Sequence, residues 1–345
     1  MNIAIIGATG YGGVEVLRFL QHHPYVTNCF VYSSSQDGTL LSDSFPHIGE
    51  KDDWLLQKID IEQIASTCDV VFFATPPGVS SELAPLLIER GVKVIDLSGD
   101  FRLKDRTVYE KWYKRRTAQP IYLQQAIYGL TEWNREQIKN AELLSNPGCY
   151  PTATLLGLAP LVRNRLVEED SIIVDAKSGV SGAGRQASLN THFSEVNENL
   201  KIYKVNAHQH IPEIEQMLTD WNEHIRPITF STHLVPMTRG IMATIYAKAK
   251  NDVPVNHLID LYKTSYASSP FVRIRKAGQF PATKEVYGSN YCDIGVTYDE
   301  RTGRITVVSV IDNLVKGAAG QAIQNLNVMM GWDETSGLLF APMYP

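Results

Sequence analysis

Residues 145–152, Ser-Asn-Pro-Gly-Cys-Tyr-Pro-Thr, place a cysteine where a loop enters an apolar, helix-compatible run. Pro147 and Gly148 are typical of a turn, and Pro151 suits the first turn of a helix. Unpaired backbone N–H groups and the positive end of the helix dipole gather at such a position. Both favour the thiolate of Cys149, which is the nucleophilic form. The pattern therefore predicts a catalytic cysteine, the alternative being a small buried core residue.

Two histidines, His208 and His210, stand just before a helix that Pro212 begins. A His-x-His pair could bind a metal ion, but no third ligand follows at a suitable spacing, so we expect no metal. One histidine acting as acid and base beside Cys149 fits better, the other then orienting or packing. The sequence does not decide which histidine has which role.

Two further stretches could contact a ligand. Arg102 follows the apolar strand 93–97, and parallel sheets bind ligands beyond the carboxyl ends of their strands. Arg102 is therefore a candidate for an anionic substrate, with an ion pair to Asp100 as the alternative. Residues 178–185, Ser-Gly-Val-Ser-Gly-Ala-Gly-Arg, suit a loop that passes close to a ligand, a flexible linker being the alternative.

The elements that must position these residues begin at the N-terminus. An apolar strand, 3–6, runs into the turn Gly-Ala-Thr-Gly-Tyr-Gly-Gly of residues 7–13, and a helix follows. Strand, glycine turn and helix together are typical of dinucleotide binding, with the pyrophosphate on the helix N-terminus. The predicted cofactor contacts are Gly7, Thr9, Gly10, Tyr11, Gly12 and Gly13.

The end of the second strand indicates which dinucleotide is bound. NAD-specific folds usually carry an acidic residue there, whereas this strand ends in three serines, 33–35. Hydroxyl groups can hydrogen-bond a 2′-phosphate, and no carboxylate repels it. We therefore predict NADP(H), with Ser34 and Ser35 at the 2′-phosphate. A plain polar loop is the alternative, since no arginine completes the pocket.

The order of the elements predicts an α/β fold with two parts. Strands and helices alternate up to about residue 148, which indicates a Rossmann-type, doubly wound parallel sheet. The following part is rich in β-strands and predicts an α+β domain with a mainly antiparallel sheet. A last helix, 315–330, is expected to pack back on the first domain. The predicted strands of the second part are 172–176, 228–234, 241–248, 272–275, 291–298 and 304–311.

Composition narrows the class of protein. The chain has 345 residues, 44% hydrophobic and 20% charged, which fits about two globular domains. A net charge of -5 gives no basic surface, so we expect no nucleic-acid partner. The four cysteines form no zinc or disulfide pattern, which favours a reduced, cytoplasmic protein. We expect neither a targeting segment nor a membrane span, because no apolar run reaches about 20 residues.

Taken together, the motifs resemble those of N-acetyl-gamma-glutamyl-phosphate reductases, within the wider aspartate-semialdehyde dehydrogenase group, nearly from end to end. Residues 145–152 are the most specific of them. Two departures are visible: no histidine follows Pro76, and the loop 33–37 lacks an arginine. The other matching stretches are 7–13, 97–102, 128–132, 179–185, 208–214, 233–240 and 313–322.

The resemblance implies a reaction. N-acetyl-glutamyl 5-phosphate and NADPH give N-acetyl-glutamate 5-semialdehyde, NADP and phosphate through a thioester on Cys149, a step of arginine biosynthesis. The implied domains are 1–148, completed by about 314–345, for NADP, and 149–313 for catalysis and assembly into a homo-oligomer, a dimer or tetramer. Asn313 and Gly317 are implied near the nicotinamide. The implied substrate contacts are Arg102, Ser181, Arg185, Glu213 and Arg239.

Two other functional classes share parts of this pattern. An extended short-chain dehydrogenase or epimerase also uses a glycine turn, but it needs Tyr-x-x-x-Lys on a helix. Tyr246 and Lys250 have that spacing within a strand pattern, which disfavours this reading. A non-enzymatic NADP sensor would keep the fold, but it has no need of a nucleophile beside a base.

Overall fold

The structure, a computed structural model, describes residues 1–48 and 54–345. Within these ranges the chain divides into two compact units. The first comprises Met1–Pro147 and Ala318–Leu339, and the second comprises Gly148–Gly317 and Phe340–Pro345. Cys149 is thus the second residue of the second unit.

The strands are numbered in chain order over the described residues. They are β1 (Asn2–Ile6), β2 (Asn28–Tyr32), β3 (Val70–Phe73), β4 (Lys93–Asp96), β5 (Ile127–Tyr128), β6 (Leu143–Ser145), β7 (Ile173–Ser178), β8 (Lys201–Tyr203), β9 (Thr229–Leu234), β10 (Ile241–Lys248), β11 (Val272–Ile274), β12 (Cys292–Asp299) and β13 (Arg304–Ile311).

The α-helices are numbered in the same way. They are α1 (Tyr11–Leu20), α2 (Leu41–Ser44), α3 (Ile61–Thr67), α4 (Ser80–Ile88), α5 (Arg106–Tyr113), α6 (Pro120–Gln125), α7 (Thr131–Ile138), α8 (Cys149–Arg163), α9 (Phe193–Val196), α10 (Ile211–Trp221), α11 (Val255–Ser265) and α12 (Gly320–Met329). Short 3₁₀ turns cover Val180–Ala183, Leu189–Thr191 and Thr283–Glu285.

The first unit contains a parallel sheet of order β2-β1-β3-β4-β6-β5. All four residues of β3 are fully buried, as expected for a parallel strand covered on both faces. The chain passes from β1 to β2 on one side and then to β3 on the other. This reversal leaves a crevice beyond the carboxyl ends of β1 and β3, where doubly wound sheets bind their ligands. The predicted Rossmann-type sheet is confirmed.

Helix α12 returns to the first unit and packs against α1 and α7, which confirms the predicted return of the last helix. All of its residues are buried, including several amides. The side chains of Gln321 and Asn325 donate to the carbonyl oxygen of Gly129 at 3.0 and 2.7 Å. These bonds satisfy polar groups that would otherwise be costly to bury.

The second unit contains a sheet of order β11-β12-β13-β10-β7-β9-β8. Four of its neighbouring pairs are antiparallel, and the pairs β11–β12 and β7–β9 are parallel. The predicted mainly antiparallel sheet is therefore confirmed, with a mixed character at two places.

Helix α8 lies on this sheet against β10 and β13 and is buried from Tyr150 to Val162. Its Pro160 has no N–H to donate to the carbonyl oxygen of Leu156, four residues earlier. The hydroxyl group of Tyr266 donates to that oxygen instead, at 2.5 Å. A helix containing proline is thereby kept intact, and its first residue, Cys149, keeps a fixed place at the sheet.

Two local predictions were wrong. Residues 146–148 form no turn, and Gly148 caps α8 with an extended backbone, φ -68° and ψ 160°. The predicted helix 315–330 is divided, because Val315–Ala319 form a π-helical turn before α12 begins. In this turn the N–H of Gly317 donates to the carbonyl oxygen of Asp312, five residues earlier.

No helix in the described part of the chain combines the length and the apolar character that a membrane span requires.

Candidate active site

The glycine turn lies at the crevice of the first unit. Gly7 has φ +92°, which is the left-handed region that favours glycine. A Cβ on Gly7 would lie 2.5 Å from the carbonyl oxygen of Ala74, and one on Gly13 would lie 2.4 Å from that of Gly7. The turn therefore brings β1, β3 and the start of α1 together more closely than side chains allow. Gly10 caps α1 without a side-chain bond, so the helix N-terminus faces the crevice as a dinucleotide requires.

The serine loop after β2 is held by its first member. Ser33 is buried, and its Oγ accepts the N–H groups of Ser35 and Gln36 at 3.3 and 3.2 Å. Ser34 and Ser35 are exposed. The loop thus presents two of the three hydroxyl-bearing residues to solvent, and their contact with a 2′-phosphate stays a prediction.

Arg102 is buried in the first unit, with 6% of its surface exposed. Its Nε donates to the carbonyl oxygen of Asn146 at 2.8 Å, and its Nη2 donates to that of Leu97 at 2.9 Å. The guanidinium therefore joins the ends of β4 and β6, close in sequence to the cysteine. The contact of Arg102 with substrate stays a prediction. Its hydrogen bonds show that it also holds the backbone at the ends of β4 and β6 together.

Cys149 is the first residue of α8, which runs for 15 residues. Its side chain is partly exposed, whereas Gly148 and Tyr150 on either side are buried. The N–H of Gly148 donates to Oε1 of Glu213 at 2.8 Å, and the N–H of Thr152 donates to the carbonyl oxygen of Gly148. The thiol therefore lies at the positive end of a long helix, where the thiolate is favoured. The fully buried Glu213 fixes the residue that precedes it.

The two histidines differ in what their rings do. His208 is buried, and its Nδ1 accepts the N–H of His210 at 3.1 Å, which places its proton on Nε2. Burial, with a smaller effect of the Lys204 charge, lowers the pKa of His208 to about 3. His208 is therefore neutral near neutral pH and serves as an acceptor. His210 is the residue that caps α10, whose first turn carries Glu213.

Tyr150 connects the cysteine to both histidines. Its ring centroid lies 5.3 Å from that of His208 and 6.1 Å from that of His210, both in edge-to-face geometry. Its hydroxyl group is 3.0 Å from that of Tyr203, and burial raises the pKa of Tyr203 to about 12. The second unit thus assembles the predicted nucleophile and both predicted acid/base candidates around one aromatic ring.

The loop that contains Ser181 is joined to the turn before β10. The N–H of Ser181 donates to the carbonyl oxygen of Thr238, and its Oγ accepts Nδ2 of Asn313 at 2.9 Å. Oδ1 of Asn313 accepts the N–H of Gly240 at 2.7 Å. Both ends of the Asn313 amide are therefore used within the protein, and its predicted contact with the nicotinamide stays a prediction.

Gly317 lies directly against Cys149, the predicted nucleophile. A Cβ at this position would be 2.8 Å from Cβ of Cys149 and 3.1 Å from its Cα. The π-helical turn thus packs against Cys149 at a distance that only glycine permits. Arg185, by contrast, is an exposed residue within the exposed segment 182–190. In the residues described, no group of three or more His, Cys, Asp and Glu side chains could hold a metal ion.

Two family models match the chain. Residues 2–141 match "Semialdehyde dehydrogenase, NAD binding domain", and residues 149–313 match "Semialdehyde dehydrogenase, dimerisation domain". A protein of Geobacillus sp. (strain WCH70) is 80% identical and one of Bacillus subtilis (strain 168) is 59% identical, each over 100% of both chains. Both are named N-acetyl-gamma-glutamyl-phosphate reductase. The chain belongs to this reductase family.

Membership in the reductase family confirms the predicted oxidoreductase class. The NAD-binding family model confirms the nicotinamide dinucleotide expected from the glycine turn. Among solved structures, aspartate semialdehyde dehydrogenase II from Vibrio cholerae is similar with a TM-score of 0.73 at 21% identity, covering 96% of this chain and 98% of that one. The Candida albicans enzyme with NADP has a TM-score of 0.67 at 16% identity, covering 95% and 98%. These two likenesses show the fold.

The short-chain dehydrogenase alternative is not supported. Tyr246 lies on β10, which runs to Lys248, so Tyr246 and Lys250 do not share the face of a helix. The Tyr-x-x-x-Lys spacing of Tyr246 and Lys250 therefore has no catalytic meaning in this member of the reductase family.

Three residues beside the site were missed by sequence reasoning. Tyr150 could have been found, because it directly follows the cysteine in the most specific motif. Tyr203 and Asp312 carry no local signal, since each reaches the site through the pairing of the sheet. Asp312 follows β13 directly, and its carboxylate is fully buried beside Arg239.

The lowered pKa of His208 predicts how stability depends on pH. The folded protein keeps this ring neutral down to about pH 3, whereas the unfolded chain binds a proton below about 6.5. The free energy of unfolding should therefore fall as the pH falls through this window. In His208→Asn the new Oδ1 can still accept the His210 N–H. This variant should lose about 2 kcal/mol less unfolding free energy than the unaltered protein between about pH 7 and about pH 5.

Urea unfolding at the two pH values measures this difference. His257→Asn, which alters an exposed histidine of the second unit, is the control and should change as the unaltered protein does. An identical pH dependence in the His208 variant and the unaltered protein would contradict the assignment.

Proposed function

We propose that the protein catalyses the NADPH-dependent reductive dephosphorylation of N-acetyl-glutamyl 5-phosphate to N-acetyl-glutamate 5-semialdehyde, in arginine biosynthesis. The observation that carries the proposal is Cys149 at the first position of α8. Glu213 of α10 binds the N–H of Gly148 before it, and His210, which caps α10, contacts the ring of Tyr150 after it. The names of the full-length relatives give the substrate.

In the proposed mechanism the thiolate of Cys149 attacks the carbonyl carbon of the acyl phosphate. Phosphate leaves, and a thioester remains on the sulfur. The N–H groups in the first turn of α8 stabilise the negative charge that develops on the carbonyl oxygen. After reduction, the bond between carbon and sulfur breaks, the aldehyde leaves and the thiolate is restored.

We assign the proton transfer to His210 and an orienting role to His208. The support is that His208 already accepts a backbone N–H through Nδ1 and has a pKa of about 3. A base with so low a pKa holds almost no proton to return at neutral pH. The edge-to-face contact with Tyr150 holds the His210 ring next to the residue that follows the nucleophile.

The residues of the first unit fit NADP(H), because the glycine turn links β1 to α1 in a close-packed conformation in which a Cβ on Gly7 or Gly13 would clash with backbone. Gly7, Thr9, Gly10, Tyr11, Gly12 and Gly13 would hold the pyrophosphate, and Ser34 and Ser35 the 2′-phosphate. We further propose Asn313 and Gly317 beside the nicotinamide. When bound, NADPH supplies the hydride. We propose that residues 1–148, with about 314–345, form the cofactor domain and that 149–313 form the catalytic domain.

The proposed substrate contacts are Arg102, Ser181, Arg185, Glu213 and Arg239. Ser181 and Arg239 are supported best, because their two loops are joined through Thr238 and Asn313. Arg102 and Glu213 act from buried positions, where each also fixes backbone before the cysteine.

We also propose a homo-oligomer, a dimer or tetramer, that acts in the cytoplasm. The matching of residues 149–313 to a dimerisation domain supports the oligomer. Large apolar side chains that a second copy could cover are exposed in the segment 189–205, namely Leu189, Phe193, Leu200, Ile202 and Val205. All four cysteines lie in the described residues and form no disulfide there, which agrees with a reducing compartment.

The substrate assignment is tested by NADPH oxidation. N-acetyl-glutamyl phosphate should be reduced, and aspartyl phosphate should be turned over at least about 100-fold less efficiently, because a site that hydrogen-bonds a substrate group rejects an analogue lacking it. The relevant quantity is kcat/KM for each acyl phosphate. Equal kcat/KM with the two acyl phosphates would contradict the proposed substrate specificity. No NADPH oxidation with either compound would support a non-enzymatic NADP sensor.

NADPH should be preferred to NADH, since the hydroxyl groups of Ser34 and Ser35 can bind the 2′-phosphate. Ser34→Asp should lower kcat/KM for NADPH about tenfold through repulsion and leave that for NADH nearly unchanged. Ser66→Asp adds the same charge at an exposed serine of α3 and is the control. Equal kcat/KM for NADPH and NADH in the unaltered enzyme would mean that the serine loop 33–35 does not recognise the 2′-phosphate.

A further inference from the structure

A buried carboxylate behind the site joins several of the proposed contacts. Asp312 is fully buried directly after β13. Its Oδ1 accepts the N–H groups of Leu314 and Val315 at 2.9 and 3.2 Å. Its Oδ2 accepts the N–H of Gly288 at 2.8 Å and lies 3.6 Å from Nη1 of Arg239.

The same residue holds the turn over the nucleophile. The carbonyl oxygen of Asp312 accepts the N–H of Gly317 at 3.0 Å, and Gly317 lies against Cys149. Through its carboxylate, Asp312 also caps the first N–H groups of this π-helical turn. One residue therefore connects the backbone over the thiol to the guanidinium of Arg239.

The contact with Arg239 orients this side chain. The separation of 3.6 Å between Nη1 of Arg239 and Oδ2 of Asp312 is within the range of an ion pair and longer than the 2.7–2.9 Å of a charge-assisted hydrogen bond. The Arg239 side chain is 20% exposed, whereas that of Asp312 is fully covered. The guanidinium of Arg239 thus contacts a buried carboxylate and remains partly exposed to solvent, from which an anion can approach it.

We propose that Asp312 is a positioning residue that fixes Arg239 relative to the turn over Cys149, so that an anionic group of the substrate bound by Arg239 is presented to the thiolate. The recognised group is a carboxylate or a phosphate, both of which pair with a guanidinium. The inference rests on the proposed function only for the choice of these anions.

The test uses protection of Cys149 from iodoacetamide, which needs no turnover. Inorganic phosphate and N-acetyl-glutamate are the separate probes, and each protection curve gives an apparent Kd. Asp312→Asn keeps an oxygen for the turn but removes the charge facing Arg239. It should weaken protection by one of the two anions about tenfold, which also identifies the group that Arg239 binds. The alkylation rate without anion should stay within about twofold of the unaltered protein.

A double-mutant cycle with Arg239→Gln separates positioning from general damage. Because Asp312 acts through Arg239, Asp312→Asn should have little further effect in the Arg239→Gln background. Asp293→Asn is the matched control. Asp293 is an equally buried carboxylate of the same unit that pairs with Arg273 and Arg275, and its variant should keep the protection.

Three results would overturn the proposal: unchanged protection in Asp312→Asn, independent effects in the cycle, or no protection of the unaltered protein by either anion. If Asp312→Asn does not fold, Arg239→Lys replaces it. Lysine keeps the positive charge but lacks the planar guanidinium, so Arg239→Lys should weaken protection about as much as Arg239→Gln does. Full protection in Arg239→Lys would overturn the proposal. Loss of protection in Asp312→Asn, together with no turnover of N-acetyl-glutamyl phosphate by the unaltered protein, would reject the proposed function alone.

Discussion

Cys149→Ser should abolish turnover while the fold and NADPH binding remain intact. A serine hydroxyl at the start of α8 is almost entirely protonated at neutral pH, and the helix terminus cannot make up for the loss of the thiolate. We expect kcat for NADPH oxidation with N-acetyl-glutamyl phosphate to fall by at least about 10³-fold. NADPH binding is measured by fluorescence titration and should be unchanged, since the glycine turn lies in the other compact unit.

Cys29→Ser is the control for this prediction. Cys29 is also partly exposed and in no disulfide, but it lies on β2 of the first unit. Its variant should retain the rate of the unaltered enzyme. If Cys149→Ser retained more than a few per cent of the rate, the thioester route through this residue would be excluded.

The reverse reaction should require phosphate. If the acyl group is held on Cys149 as a thioester, inorganic phosphate must accept it, whereas an ordinary aldehyde dehydrogenase uses water. The hydroxyl group of Ser181 and the guanidinium of Arg239 suit such an oxyanion, because each carries a donor group and their two turns are joined. N-acetyl-glutamate semialdehyde and NADP should therefore give NADPH only when phosphate or arsenate is present.

Absorbance of NADPH in phosphate-free buffer, with and without the added anion, measures this requirement. Arsenate should drive the reaction further, since its acyl ester hydrolyses at once. Enzyme that has been alkylated at Cys149 should give no signal with either anion. Sustained production of NADPH without any anion would show that water accepts the acyl group, and the acyl-phosphate assignment would then be wrong.

Local sequence signals decided the elements that carry the chemistry. The glycine turn followed from its position between a strand and a helix, because only glycine tolerates the backbone contacts at Gly7 and Gly13. The helix after Cys149 followed from the apolar run and Pro151. The prediction failed at Val315–Ala319, where a π-helical turn replaces helix. That turn depends on the bond from Gly317 to Asp312 and on its packing against Cys149, neither of which is visible in a local pattern.

By itself the sequence determined the fold class and the family, and it gave the candidate nucleophile and the two candidate histidines, because these depend on residue types at short spacing. The tertiary structure decided how the histidines differ, since burial and the N–H of His210 make His208 a neutral acceptor. It also decided that Asp312 lies behind Arg239 and that Glu213 binds the N–H of Gly148. These contacts join residues far apart in the chain, and their energy depends on removal from water, which only the packed fold provides.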